Sequence, residues 1–231
     1  MKLRIAVFYH CAFLKSETEK FPSAVPIVLQ QMKALRDCGL LDAADLFVVG
    51  CNGGVESADR IKLCIPKKAK VVLHGITSKA ENLTIVEMEK WVRALPGHDD
   101  WAVLYFHSKG ISHTLESDYG QFSGRWRNSM QKCCITNWRT CVADLEAGAE
   151  LATTYWMTGL ADGTQNICAG NFFWAKASFL KTVPSIFLRD RIKQSGIAAL
   201  ESRFEAEVWI GNGKLPNPVK TYGTQGLGGV E

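Results

Sequence analysis

The sequence predicts an α/β fold, a single domain whose mainly parallel central sheet is flanked by helices. Three observations carry this. Short β-branched and aromatic runs alternate along the chain with stretches at helical apolar spacing. The strand candidates are apolar at successive residues rather than every second one, the pattern of strands covered on both faces. At 231 residues, with 47% hydrophobic and 22% charged residues, the chain has globular composition and the length of one ordinary domain.

The elements follow in order. Leu3–Tyr9 reads as a buried strand. Val25–Cys38 carries apolar residues at 25, 28, 29, 32 and 35, which is helical spacing, and Gly39 is its stop. Leu46–Gly50 is a second strand running into the turn Cys51-Asn52-Gly53-Gly54, and Lys70–Leu73 is a third. Thr84–Leu95 reads as a helix opened by a capping box of Thr84 and Glu87 and ended by Pro96. Trp101–Phe106 is the most strand-like segment and ends in His107-Ser108-Lys109-Gly110. Residues 111–124 read as a mobile loop, and Arg125–Ala147 as one long helix with 126, 130, 134, 138, 141, 142 and 145 on one face. Leu151–Met157 and Asn171–Trp174 are strand candidates, the second leading into a short helix at 176–182. Glu201–Ile210 is a last helix. Residues 1–212 make the domain and 213–231 a Gly/Pro-rich tail, with no repeat and no dividing linker.

Charge and cysteine usage narrow the function classes. The net charge of +4 permits an anionic partner without demanding one. No apolar run is long enough to span a bilayer. Met1–Tyr9 has no cleavage pattern of small residues and reads as a first strand rather than a leader, so a cytoplasmic location is expected. The eight cysteines form no Cys-x-x-Cys pair and mostly lie in apolar stretches, which predicts free, reduced thiols and no structural zinc.

In open parallel sheets, ligands bind outside the carboxyl ends of the strands. Tyr9-His10-Cys11, Cys51-Asn52-Gly53 and His107-Ser108-Lys109-Gly110 all follow strands, so a parallel sheet puts them on one rim. A lysine, a hydroxyl and a glycine amide after a buried strand are suitable phosphate donors, and His107 can serve a phosphate or a metal. Neither a P-loop nor a Gly-x-Gly-x-x-Gly pattern is present. Gly170-Asn171 with Phe172, Phe173 and Trp174 combines a turn with flat faces that can pack on a sugar or base, although aromatic core filling competes for the two phenylalanines. Glu205 and Glu207 on the last helix are candidate general bases, with a solvated helix face as the competing reading. Arg127, at the start of the long helix, could reach an anion or lie on the surface.

The order "VLYFHSKG", then "WR-x-x-M" with a later Trp on a helix, then "AGNFFWAKASFL", then "RFEAEVWIG" resembles a group of small glycosyltransferase-like proteins of the GT-A (Rossmann-like) fold and, more distantly, the rhamnan-synthesis-type transferases. The match spans roughly residues 1–212. The resemblance implies a nucleotide-sugar donor, a UDP-sugar, and a hydroxyl acceptor. The acceptor is a glycan or, as some viral enzymes use, a hydroxymethylated base in DNA. It places His10 and Asn52 on the nucleotide, Gly170, Asn171 and Trp174 at the donor sugar or acceptor, and Glu207, ahead of Glu205, as base. In GT-A enzymes an Asp-x-Asp motif usually holds a divalent metal on the diphosphate. Here His107-Ser108-Lys109 stands in its place, so metal dependence stays open and Lys109, with Ser108 and Arg127, is assigned the leaving diphosphate. The competing expectation is a non-catalytic nucleotide- or nucleic-acid-binding module with a decayed transferase site.

Overall fold

The computed structural model describes residues 2–12, 24–53, 55–75, 80–96, 101–110, 116–159, 165–186 and 205–223. Within them the chain forms β1 (Arg4–Ala12), α1 (Ala24–Asp37), α2 (Leu40–Ala43), β2 (Leu46–Asn52), α3 (Val55–Cys64), β3 (Lys70–Leu73), α4 (Ala80–Ala94) and β4 (Trp101–His107). There follow α5 (Asp118–Met130), a π-helical turn (Gln131–Thr136), α6 (Trp138–Glu146), β5 (Leu151–Thr153), β6 (Trp156–Gly159), β7 (Gln165–Cys168), β8 (Phe173–Lys176), α7 (Ala177–Thr182), α8 (Glu205–Trp209) and β9 (Val219–Thr221).

The protein is the α/β domain the sequence predicts. Seven strands line up in the order β3-β2-β1-β4-β8-β5-β9, and β6 and β7 make a separate hairpin. The β1–β2, β1–β4, β2–β3 and β5–β9 pairs are parallel, while β8 runs antiparallel to both β4 and β5. Two apolar layers cover the sheet. Val7, Tyr9, Leu104 and Phe106 pack with Val28, Met32, Cys134 and Leu145 of the α1, α5 and α6 side. Ala6, Phe8, Val103 and Tyr105 pack with Ile85, Met88, Phe179 and Trp209 of the α4, α7 and α8 side. Burial on both faces is why β1 and β4 read as continuous apolar runs.

The order β3-β2-β1-β4 fixes where a ligand fits. The chain leaves β1 in one direction and later returns to β1's other side as β4, so the carboxyl ends of β1 and β4 flank a topological switch point. His10 pairs in register with His107, and Ala12 with Asn52. Because β8 is antiparallel, its entry, Gly170-Asn171-Phe172, lies at the same rim.

Several boundaries differ from the sequence expectations. Residues 118–124 are helix rather than loop: α5 begins at Asp118, where the Ser117 hydroxyl accepts the Gly120 N–H at 3.0 Å; 111–115 lie outside the described residues. The single long helix is broken by the π turn. Its apolar positions 126, 130, 134 and 138 step by four, and each step overshoots the 3.6-residue turn by about 40°. The wider turn absorbs that drift, and the Cys134 carbonyl within it accepts the Trp174 indole N–H at 2.6 Å. In α1 the buried face is Ala24, Ile27, Val28, Gln31, Met32 and Leu35, which leaves Val25 and Leu29 exposed. The capping box at Thr84 does not form, because α4 starts four residues earlier and the Thr84 hydroxyl serves tertiary partners instead. The tail contributes β9 to the sheet. In the last helix, 205–209 is helical and 201–204 lie outside the described residues.

Candidate functional site

The ends of β1, β3 and β4, the entry to β8 and the helices α4, α5 and α8 converge at the switch point. On the side of α4, His10 is buried in β1, and its Nδ1 lies 2.8 Å from Thr84 Oγ1. His74, just after β3, reaches the same hydroxyl with Nε2 at 3.0 Å. His107 Nε2 bonds the Gly170 carbonyl at 2.9 Å, and since a carbonyl only accepts, that nitrogen carries the hydrogen. The other ring nitrogen, Nδ1, stands 3.9 Å from Glu81 Oε2.

Glu81, in the first turn of α4, is the centre that the sequence reading missed. Its Oε1 accepts from Asn171 Nδ2 at 2.8 Å and from the Tyr105 hydroxyl at 3.3 Å. Burial alone raises its pKa, but His107, His10, the Asn171 amide and Lys109 together hold the carboxyl below its usual value. Glu81 is therefore an ionised acceptor at neutral pH. Burial is also the main influence on His10, lowering it to about 3 against some compensation from Glu81, so His10 is neutral at pH 7. His74 is lowered by burial too, partly offset by Glu87.

Gly170 (φ 82°) and Asn171 (φ 53°) are consecutive left-handed residues. A side chain on Gly170 would run into the Met130 thioether, and Asn is among the few other residues that tolerate the conformation. This turn aims Asn171 at Glu81. Asn171 is fully buried, and its Oδ1 has no hydrogen-bond partner among the described residues. A buried acceptor left without a donor costs about 1–3 kcal/mol, so the turn carries strain and an unspent hydrogen-bonding site together.

On the side of α5 the groups are charged. Lys109 Nζ sits 3.2 Å from Glu207 Oε1 and 4.2 Å over the Trp126 ring. Arg127 donates from a terminal guanidinium nitrogen to the Lys109 carbonyl at 2.8 Å and from Nε to Gln30 Oε1 at 3.3 Å. Glu205 accepts from Asn82 Nδ2 at 2.6 Å, tying α8 to α4.

The structure thus brings together His10, His107, Lys109, Glu205, Glu207, Gly170 and Asn171. Asn52 is buried at the adjacent strand end. Three expected ligand contacts take structural roles instead. Ser108 is buried, its N–H donating to the His10 carbonyl and its hydroxyl accepting from Ala12 N at 3.3 Å, which staples β4 to β1. Arg127 is buried and spent on Lys109 and Gln30. Trp174 has no exposed face, because its ring fills the core and its indole N–H is taken by Cys134.

Glu81, Asn82, Thr84 and His74 were missed. One signal marked the last two: Gly50 interrupts an apolar strand. A Cβ at Gly50 would collide with Thr84 Oγ1 and His74 Nε2, so the glycine makes room for both side chains.

Among the described residues no three His, Cys, Asp or Glu side chains group as a metal site, and all eight cysteines are free. No helix among the described residues is long and apolar enough to cross a membrane.

No protein-family profile matches the sequence, and no curated protein matches it. Solved structures with a similar fold include Rv0371c from Mycobacterium tuberculosis H37Rv, at 10% identity over 98% of this chain and 90% of that one, TM-score 0.40. The manganese complex of that protein matches at 12% identity over 96% and 89%, TM-score 0.37. A 4-diphosphocytidyl-2C-methyl-D-erythritol synthase matches at 14% over 97% and 91%, TM-score 0.40. At such identities and TM-scores the likenesses assign no activity to this chain.

Proposed function

We propose that the protein is a GT-A-type glycosyltransferase that moves a sugar from a nucleotide-sugar to a hydroxyl of a glycan acceptor. The observation that carries this reading is the Lys109–Glu207 ion pair beside the acceptor atoms of Glu81 and Asn171 at the β1/β4 switch point. A glycosyl donor presents two surfaces, an anionic diphosphate and a ring of hydroxyl donors. The site offers an ammonium for the first. For the second it offers an ionised carboxylate and an unpartnered amide oxygen.

The chemistry follows from exchange of partners. A diphosphate oxygen takes the Lys109 ammonium, and Glu207 is released from its cation. As the bond from the anomeric carbon to the diphosphate breaks, its electrons pass to the diphosphate, where Lys109 stabilises the charge. The acceptor oxygen bonds to the anomeric carbon, and its proton passes to Glu207. Trp126 under Lys109 and the Arg127 bond to its carbonyl hold the ammonium in place. An Asp-x-Asp metal does not fit this position, where a lysine and a stapled serine stand.

A thermal-shift screen of nucleotide-sugars with and without manganese tests the reading, followed by an assay for transfer or donor hydrolysis. Stabilisation by a nucleotide-sugar together with turnover supports it. Binding without any turnover favours a non-catalytic nucleotide-binding module, and no stabilisation by any nucleotide overturns both.

A further inference from the structure

We infer that His10, Thr84 and His74 form a proton relay that joins the buried end of the site to the protein surface. One hydroxyl stands between two imidazoles, 2.8 Å from His10 Nδ1 and 3.0 Å from His74 Nε2. A threonine hydroxyl has a single hydrogen, so it donates to one ring and accepts from the other. Each neutral ring carries one N–H, and the two tautomers are therefore locked together.

In one state His10 Nδ1–H donates to Thr84, Thr84 donates to His74 Nε2, and the remaining hydrogen of His74 is on Nδ1. In the other state Thr84 donates to His10 Nδ1, His74 Nε2–H donates to Thr84, and the hydrogen of His10 is on Nε2. Passing from the first to the second takes up one proton at His10 Nε2 and releases one from His74 Nδ1. His10 Nδ1–H goes to the Thr84 oxygen, and the Thr84 hydrogen goes to His74 Nε2. One proton enters and one leaves, with no ring left charged, and rotation of the hydroxyl with return of the protons resets the chain.

The surroundings suit a conduit. His10 is 5% exposed and Thr84 1%, so neither exchanges freely with water, whereas His74 is half-buried. Glu81 and His107 face the inner end, and Glu87 and Lys90 act on the outer one. Burial keeps both rings neutral, as such a chain requires. The fold also gives up a side chain for it, since any residue larger than Gly50 in this buried strand would displace Thr84 and His74.

On the reading under Proposed function, the relay exports the proton that the acceptor hydroxyl gives up, arriving at His10 Nε2 from a carboxylic acid or hydronium at the rim. Thr84 and His74 are then positioning residues.

The test uses the full chain without donor or acceptor, labelled with ¹⁵N-histidine and assigned through His10→Asn and His74→Asn. The two nitrogens facing Thr84 should be complementary, one protonated and one bare. Both protonated or both bare overturns the relay. Thr84→Val, which keeps the shape and removes the hydroxyl, should slow solvent exchange of the His10 ring hydrogen about tenfold, the scale of one lost neutral hydrogen bond. Thr84→Ser should restore it. An unchanged exchange rate in Thr84→Val overturns the inference, as does failure of the serine variant to recover. If the tautomers and exchange behave as stated but no sugar is transferred, the relay stands and the transferase reading fails. If transfer is seen, Thr84→Val should lower kcat and leave the donor KM unchanged.

Discussion

Where α5 and α8 meet at the rim, Lys109 and Glu207 are paired ions, 18% and 12% exposed, with the Trp126 ring of α5 under the ammonium. On the α4 side the ionised Glu81 is held by the Asn171 amide and the Tyr105 hydroxyl, and the neighbouring His10, Thr84 and His74 hydrogen-bond as neutral groups, with burial keeping the rings uncharged. Both sides lie at the carboxyl ends of the same parallel strands, yet they handle buried polarity by different means. A partly buried charge needs a counter-charge, and the partner must be given up before a ligand can use it. A neutral network needs only complete hydrogen bonding and can remain intact while a ligand binds beside it. The difference suits the α5 side to exchanging partners with an anion and the α4 side to passing protons.

The strongest way to break this comparison is Glu207→Gln. It keeps the side chain's size and removes the basic oxygen, so kcat should fall by about 10²–10⁴ with donor affinity little changed. Steady-state kinetics with calorimetric donor titration separates the two. A near-normal rate, with loss in Glu205→Gln instead, would move the base two residues along α8. Normal rates in both variants would end the general-base role of this helix.

Lys109→Ala should weaken binding of a nucleoside diphosphate by about 1–3 kcal/mol, the scale of a charged hydrogen bond. Because Glu207 then loses its cation, the same variant should also lower the chemical-denaturation midpoint. Adding Glu207→Gln should recover part of that stability. Full additivity of the two stability losses would mean that the ion pair carries no coupling.

Gly50→Ala attacks the neutral side through sterics. The added methyl meets Thr84 and His74 inside a packed sheet, and overpacking of this kind costs about 1–3 kcal/mol. A melting temperature equal to that of the parent chain would show that the cluster yields easily.

The remaining effect is in pH. Between about 6.5 and about 3 the unfolded chain protonates His10 while the folded chain does not, so stability falls as pH falls through that window. Glu81, held low in the fold, adds to the same trend as pH drops through its own folded value. Denaturation midpoints across the window should slope less steeply in His10→Asn. An identical slope would mean that His10 takes up its proton in the folded state as well.

The sequence by itself determined the α/β class, most of the strands and the placing of His10, His107 and Lys109 at strand ends. Those features depend on local apolar patterning and on the carboxyl-end rule for parallel sheets, both of which a single chain displays. The helix boundary at Ala80, and with it Glu81 and Thr84, was hidden because Thr84 with Glu87 imitates a capping box. Gly50 read as the last residue of its strand, and local pattern did not show that it is kept small for side chains from α4 and the end of β3. Only the tertiary structure decided that Trp174 and Ser108 serve the core and the sheet, that Arg127 braces a carbonyl, and that Lys109 faces Glu207. A side chain's partner across about a hundred residues is set by how elements pack, and residue type and spacing carry no record of that packing.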